Sequence, residues 1–296
     1  MEVIMKKLFV LLAVFLLIGC GVQKPKDTTN SNEGNEKIDA IVYHNAASEE
    51  NINEMKELLK DKIHESSLSI FLNDVMEYNK SLSNLSGSYK ELTAENVNYD
   101  ELAISESLLA INPDYIGNNC RITTFTLIKD FVSVDAKEEV PYNLLFDNLS
   151  LSESHKFTDE ELKRFYGYYE QVETTKTKDI SVHLEAMKKH LADHHIKYQL
   201  PKHVSVISVV FHDDLEEVDH LFIGHTGLLV EKDESYYFIE KLSFDLPYQV
   251  IKFSSKLELN DYLMEKYDVS WGQETASPFI MENDELLKEY RPNQKK

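Results

Sequence analysis

Apolar residues recur at helical spacing in the first half of the chain and at strand spacing in the second half. Within residues 48–111, side chains such as Ile52, Met55 and Leu59 stand three or four positions apart, as they do on one face of an α-helix. Pro113 ends this pattern, because proline cannot continue a helix. Alternating or continuous β-rich runs predict strands over residues 204–211, 221–230, 236–242 and 248–253.

Capping signals and apolar spacing predict helices elsewhere in the chain, over residues 159–172, 183–196 and 255–267. Thr158 with Glu161 forms a capping box, in which each side chain bonds the backbone of the other. Ser255 with Glu258 gives the same signal for the last helix. Helices followed by an antiparallel sheet make the predicted fold class α+β.

The N-terminus has the pattern of an export signal. Lys6 and Lys7 precede an apolar run over residues 8–17 that is too short to span a bilayer. The small residues before Cys20 resemble the lipobox of bacterial lipoproteins. That resemblance implies a signal peptide over residues 1–19, cleavage before Cys20, and transfer of a diacylglyceryl group, with chains such as palmitate, to its thiol. The alternative is an ordinary signal peptide in which the cysteine is coincidental.

The mature chain is predicted to be a tethered domain on the extracellular face of the cell membrane. Residues 20–37 are nearly free of apolar side chains and are expected to form a flexible tether. Residues 38–290 contain no Pro/Gly-rich linker, so we predict a single domain. The 31 basic against 52 acidic residues argue against nucleic acid as a partner, because its phosphates would be repelled.

Cys120 is the candidate nucleophile. The chain has two cysteines, and lipidation of Cys20 leaves Cys120 alone. Asn119 is a good N-cap, so we predict a helix whose first turn contains Cys120. The positive end of the helix dipole favours a thiolate there, which is the form that attacks carbonyls, and Arg121 adds a nearby positive charge. The alternative is a buried cysteine that acts as a small hydrophobe.

His225 is the candidate general base. It lies in a predicted strand between Gly224 and Gly227, and the glycines are expected to leave space beside the ring for another backbone or a ligand. A neutral imidazole there can take the proton of Cys120 and return it to a leaving amine. The alternative is a core histidine bonded to a carbonyl.

Glu240 is the candidate third residue. If residues 232–235 form a four-residue hairpin loop, Glu240 lies diagonally opposite His225 on the same face of the sheet. The carboxylate can then fix the tautomer of the ring. A loop that differs by one residue would turn Glu240 to the other face, and Asp245 would be the alternative.

This order of residues resembles the papain-like cysteine peptidases, in particular the NlpC-type bacterial cell-wall amidases and endopeptidases. The Asn119-Cys120 junction and residues 224–231 also look like an uncharacterised family of Gram-positive surface lipoproteins placed near that superfamily. The resemblance implies a papain-like core with its antiparallel sheet in the C-terminal half. It also implies Cys120 as nucleophile, His225 as base and acid, and Glu240 as the residue that orients the ring.

Two features depart from the papain-like pattern. The interval between the predicted nucleophile and base is longer than in compact NlpC domains, so residues 135–203 are expected to be a helical insertion. Papain-like peptidases keep an oxyanion donor, a glutamine, where this chain has Asp114. The oxyanion hole would then use the backbone N–H of Cys120 with a second donor, the amide of Asn118 or Asn119.

The sequence therefore predicts a membrane-anchored extracellular thiol hydrolase that needs no cofactor and cleaves an amide bond, with peptidoglycan peptide as the expected substrate. The alternatives are a transglutaminase-type acyl transferase and a non-catalytic binding lipoprotein.

His183, His190 and His194 lie on one predicted helix at a spacing that suits zinc. They form no recognised metal motif, so we assign no metal ligand and expect structural or solvent-facing histidines.

Overall fold

An antiparallel sheet runs through the centre of the fold. The structure, a computed structural model, describes residues 40–82, 84–93 and 99–296. Its strands are β1 Val42–His44, β2 Lys90–Glu91, β3 Val132–Ser133, β4 Val172–Glu173, β5 Lys197–Tyr198, β6 Val204–Asp213, β7 His220–Lys232, β8 Ser235–Lys241, β9 Tyr248–Phe253, β10 Phe279–Glu282 and β11 Glu285–Leu286. The order in the main sheet is β11-β10-β6-β7-β8-β9-β1-β2, with β4 also beside β7, while β3 and β5 pair separately.

Most of the described helices lie between β1 and the long strands β6–β9 along the chain, and one follows β9. They are α1 Glu49–Leu59, α2 Glu65–Lys80, α3 Glu101–Ile111, α4 Cys120–Ile128, α5 Leu145–Ser154, α6 Asp159–Tyr169, α7 Ile180–Asp193 and α8 Lys256–Tyr267. Side chains cap the start of six of these helices, namely Ser48, Asp100, Asn119, Thr158, Asp179 and Ser255. Each accepts a bond from a first-turn N–H that has no partner within the helix.

The predicted α+β class and the four predicted strands are confirmed, with differences at the ends of elements. The capping box of Thr158 and Glu161 is present, but α6 stops at Tyr169 because Glu170 leaves the helical conformation with ψ 154°. Helix α7 begins three residues before the predicted start because Asp179 caps it. The helical pattern within residues 48–111 corresponds to α1, α2 and α3, but it did not indicate β2, which also lies there and pairs with β1.

The sheet is packed on both faces. Alternate residues of β7 point to opposite sides, so Leu228 belongs to the larger apolar cluster and Leu229 to the smaller one. The larger cluster contains Phe125 of α4, and the smaller contains Leu263 of α8. The central strands are therefore buried between helices, with α4 on one face of β7 and α8 on the other.

Residues 40–296 form one compact unit. The predicted signal peptide, Cys20 and the whole of the predicted tether lie outside the described residues. None of the helices that the structure describes is both long and apolar enough to cross a membrane.

Candidate functional site

One edge of strand β7 is interrupted in the middle of the sheet. Strand β4 pairs with β7 as far as Leu221, whereas β8 pairs with it only from Gly227 onwards. Residues 222–226 therefore pair with neither strand along this edge. Their backbone donors and acceptors need other partners, because unpaired buried backbone groups are costly.

A β-bulge on the opposite edge of β7 lies at the same place. Val209 of β6 pairs with His225, but the next residue, Val210, pairs with Ile223. Gly224 is therefore an extra residue in the strand. Bulges bend a strand and change the direction of its side chains, and they are frequent beside functional sites.

The start of α4 fills the interrupted edge of β7. Nη1 of Arg121 donates to the carbonyl of Ile223 at 3.2 Å, and Sγ of Cys120 lies 3.9 Å from the carbonyl oxygen of Gly224. The backbone N–H of Thr226 donates to the Cys120 sulfur. The candidate nucleophile therefore takes the place that a neighbouring strand occupies elsewhere along β7.

Asn119 holds the start of α4, as the sequence predicts. Its Oδ1 accepts from the backbone N–H of Ile122 at 3.0 Å, and Cys120 is the first residue of the helix. Its Nδ2 donates to Oδ1 of Asp147 on α5 at 2.7 Å. The side chain of Asn119 is thus fully engaged in capping the helix and anchoring it.

Arg121 and Asp147 form a buried ion pair below the nucleophile. Nε and Nη2 of Arg121 donate to the two carboxylate oxygens of Asp147 at 3.0 and 2.6 Å, and Asp147 is completely buried. The positive charge expected beside Cys120 is therefore largely balanced by Asp147. The sequence did not point to Asp147, which lies in the predicted insertion over residues 135–203, and this segment supports the nucleophile directly.

Glu240 lies beside His225, in the pairing that the sequence predicts. Gly227 pairs with Glu240, and Oε2 of Glu240 is 2.5 Å from Nε2 of His225. The expected four-residue loop is wrong in length, because Lys232 and Ser235 still pair and the turn is Asp233-Glu234, both with positive φ. The loop loses one residue on each side, so the register is unchanged.

His225 connects Cys120 with Glu240. Because Nε2 is bonded to Glu240, Nδ1 is the ring nitrogen left for the hydrogen bond between His225 and the Cys120 thiol. All three side chains are buried, with 5% of Cys120, 1% of His225 and none of Glu240 exposed. The structure thus brings the three predicted residues into one buried row.

The charges in this row stabilise one another. Burial raises the pKa of Cys120, but the hydrogen bond and charge of His225 outweigh it and leave that pKa below its ordinary value. Burial lowers the pKa of His225, but its bonds to Cys120 and Glu240 raise it to about 9. Burial also raises the pKa of Glu240, but the charge of Lys266 and the bond and charge of His225 outweigh burial and leave that pKa below its ordinary value. These shifts all favour the charged form of the row, with a thiolate, an imidazolium and a carboxylate, over its neutral form.

Two tyrosines of α8 fix the orientation of the row, and sequence reasoning missed both. The Tyr262 hydroxyl donates to Oε1 of Glu240 at 2.5 Å. The Tyr267 ring stacks on His225 with centroids 4.9 Å apart and planes 27° apart. Tyrosines in an amphipathic helix give no separate signal in a sequence, because most such rings only fill the core.

The space expected beside His225 is occupied by phenylalanine rings. A Cβ on Gly224 would lie 2.5 Å from the ring of Phe211, and one on Gly227 would lie 2.6 Å from that of Phe238. The glycines therefore allow close aromatic packing across the strands. The expected close approach of another backbone is confirmed at Gly227, where a Cβ would lie 2.7 Å from the Ile239 carbonyl oxygen, whereas the space expected for a ligand is filled by the rings.

Asp245, the alternative to Glu240, lies in the turn after β8. Its carbonyl oxygen accepts from the Tyr78 hydroxyl at 2.5 Å. The buried Lys241 ammonium holds this turn by donating to the carbonyls of Ser243 and Phe244 at 2.9 and 3.2 Å, and it lies 4.0 Å from the centroid of the Tyr78 ring. This turn packs against the segment before α4, because a Cβ on Gly117 would lie 2.8 Å from the Phe244 carbonyl.

The amides considered as oxyanion donors are already bonded. Asn119 is engaged as described above, and Nδ2 of Asn118 donates to the Tyr248 hydroxyl at 3.4 Å and bonds Asp74. The Tyr169 hydroxyl is different: it is buried and has no hydrogen-bond partner among the residues described. Burial and the nearby Cys120 raise the pKa of Tyr169 well above its ordinary value.

The three candidate histidines of α7 separate into two environments. Both ring nitrogens of His183 are bonded at 2.8 Å, one to the Thr174 hydroxyl and one to the Thr177 carbonyl. His190 and His194 instead lie together near the end of the helix, with ring centroids 4.4 Å apart. Glu170 joins these two rings, so the cluster differs from the one that spacing alone suggested.

Comparison with known proteins gives a family but no described activity. No curated protein and no solved structure matches the chain. A family model described as a domain of unknown function, DUF4300, matches residues 42–287, which include every residue of the row and the helices that support it. The chain therefore belongs to the DUF4300 family.

Proposed function

We propose that this protein is a thiol hydrolase that cleaves an amide bond with Cys120, His225 and Glu240. The observation that carries the proposal is the position of His225, which is bonded to the candidate nucleophile on one side and to a buried carboxylate 2.5 Å away on the other. A histidine between a thiol and an acid is the arrangement that nucleophilic catalysis by cysteine requires. The order of these groups along the chain supports a papain-like core.

The reaction follows from the charges in the row. The Cys120 thiolate attacks the carbonyl carbon, and the resulting oxyanion collapses as the bond to nitrogen breaks. Nδ1 of His225 gives its proton to the leaving amine, which departs neutral. Water then attacks the thioester while His225 takes its proton, and the acid is released with the thiolate restored. Glu240 stays ionised and stabilises the imidazolium.

The substrate follows from the predicted location. A lipid on Cys20 and a flexible tether would hold the domain outside the cell membrane, where peptidoglycan peptides are the abundant amides. The burial of Cys120, of which 5% is exposed, favours a substrate that enters as an extended, narrow chain over a bulky folded protein. Both considerations support a stem or cross-bridge peptide of the cell wall as substrate.

Muropeptides test the activity directly. The full chain with Cys20→Ser, which prevents lipidation, is incubated with purified muropeptides, and the products are analysed by mass. We expect new peptide fragments that carry the mass of one added water, and none with Cys120→Ala or in a denatured sample. An intact substrate would contradict hydrolysis, and products joined to an added amine without water would indicate acyl transfer.

Tyr169 supplies the second oxyanion donor in this proposal, beside the N–H of Cys120. Tyr169→Phe is expected to lower kcat about 100-fold with little change in KM, as removal of a single oxyanion donor does. Folding stability should not fall, because the hydroxyl has no partner to lose among the described residues. Muropeptide kinetics and urea unfolding give the two readouts. Equal kcat in both proteins would remove Tyr169 from the mechanism. Tyr168→Phe is the matched control, since the Tyr168 hydroxyl is bonded to that of Tyr198 at 2.8 Å.

A further inference from the structure

We propose a second site on this protein, in which Glu170, His190 and His194 bind one zinc ion between the ends of α6 and α7. One ligand atom from each of the three side chains lies within 4.8 Å of the others. The site contains no residue of the Cys120 row and does not depend on its activity. It is the cluster within the described residues in which three such groups meet.

Two atoms of the cluster are buried without hydrogen-bond partners. They are Nε2 of His190 and Oε1 of Glu170, judged over the part of the chain that the structure describes. His190 is 9% exposed. Buried polar atoms are nearly always bonded, so two unbonded ones in the same cluster need a cause. A metal ion satisfies both, because a neutral imidazole nitrogen and a carboxylate oxygen are zinc ligands.

The surrounding contacts prepare the side chains for a metal. The backbone of Gly167 bonds the His190 ring, which directs Nε2 into the cluster. Nζ of Lys137 lies 2.6 Å from Oε2 of Glu170 and holds the carboxylate so that Oε1 remains for the ion. Such outer partners orient the ligands in known metal sites. A small cavity lined by both Glu170 and His190 adjoins the cluster.

The spacing and chemistry of the ligands favour zinc over harder cations. Ligand atoms of tetrahedral zinc lie roughly 3.4 Å apart at bond lengths of about 2.1 Å, and Nδ1 of His194 lies 3.5 Å from Oε1 of Glu170. The other ligand atoms of the cluster lie within 4.8 Å of one another, so binding requires them to move closer together by about an ångström. Two imidazoles and one carboxylate suit zinc and neighbouring transition metals, whereas Mg²⁺ and Ca²⁺ prefer oxygen ligands. His194 is 37% exposed and provides the route of entry.

Metal titration tests the site. The purified full chain with Cys20→Ser is treated with a chelator and then titrated with Zn²⁺ by calorimetry. We expect one ion per chain, a rise in the thermal unfolding midpoint on binding, and no binding of Mg²⁺. His190→Ala, His194→Ala and Glu170→Gln should each weaken zinc binding by about tenfold or more, since loss of an outer partner alone costs 10-fold to 100-fold.

Controls separate this site from other histidines and from the thiol. His195→Asn should bind zinc like the parent, because His195 is exposed and bonded to Asp135, and asparagine tolerates its positive φ. Cys120→Ser should also keep its zinc, which would place the ion away from the row. If His190→Ala does not fold, the zinc affinity of Glu170→Gln tests the proposal instead, because glutamine keeps the size of the side chain. Zinc affinity that is unchanged in Glu170→Gln and His194→Ala, or lost in Cys120→Ser, would overturn the proposal.

Discussion

Replacing His225 by glutamine is expected to slow alkylation of Cys120 at pH 6 by at least about tenfold. The hydrogen bond and charge of the His225 ring lower the pKa of Cys120. In the variant only Arg121 and the Thr226 N–H remain to oppose burial, which raises that pKa. A free cysteine has a pKa of about 8.5, so little thiolate would remain at pH 6. A thiolate of higher pKa is more nucleophilic, which offsets part but not all of the loss. The measurement is the rate of iodoacetamide incorporation into the Cys20→Ser chain.

The pH dependence of the alkylation rate shows in which direction His225 shifts the pKa of Cys120. Because the thiol pKa of the parent is lowered, its alkylation rate should begin to fall at a lower pH than that of an ordinary thiol. In His225→Gln the rate should instead rise steadily towards alkaline pH. His220→Gln, on the same strand but outside the row, is the control and should follow the parent. Coincident profiles for the parent and His225→Gln would show that the ring does not activate the thiol.

Replacing Asp147 by asparagine is expected to destabilise the fold by about 3–5 kcal/mol, because it leaves the Arg121 guanidinium buried without a counter-charge. Asparagine keeps an acceptor for Nδ2 of Asn119. The stability that is lost therefore reports the missing charge and not a weakened N-cap of α4. Urea unfolding of the parent and the variant gives the difference in free energy. Glu57→Gln removes an exposed ion pair with Lys60 and should leave stability nearly unchanged, because exposed ion pairs contribute little.

A double variant distinguishes the pair from its separate charges. Arg121→Met with Asp147→Leu removes both charges and leaves no buried ion, so part of the stability lost in Asp147→Asn should return. Full recovery is not expected, because Nδ2 of Asn119 and the carbonyl of Ile223 then lose their partners. An Asp147→Asn protein as stable as the parent would show that this pair does not hold α4.

Local patterns were sufficient to predict much of the fold and the row itself. The start of α4 depends on one N-cap, and the strands β6 to β9 on long apolar runs, so both can be read from neighbouring residues. The register of Glu240 depends on the length of the hairpin loop. The loop is shorter than predicted by one residue on each side, so the residues that pair across the hairpin stay the same. Strands β1, β2, β10 and β11 have two to four residues each, too few to show alternation.

Contacts between distant parts of the chain were not predictable in this way. Asp147 reaches Arg121 only because α5 packs under α4, and nothing near Asp147 in the sequence indicates that contact. Tyr262 and Tyr267 depend on the placement of α8 over the sheet. Glu170 joins His190 and His194 across the gap between two helices, whereas spacing along one helix suggested His183 instead. In each case the partner is defined by packing, to which a single sequence gives no direct guide.

The interrupted edge of β7 has a consequence for aggregation. Unpaired strand edges are where a foreign strand can add, and proteins cover them with helices, loops or charges. Here the cover is the start of α4 with Cys120 and Arg121, so the residues that position the nucleophile also shield residues 222–226 from other chains. Variants that loosen α4 should therefore become prone to self-association through this strand, and the solubility of the protein is tied to the integrity of its candidate nucleophile.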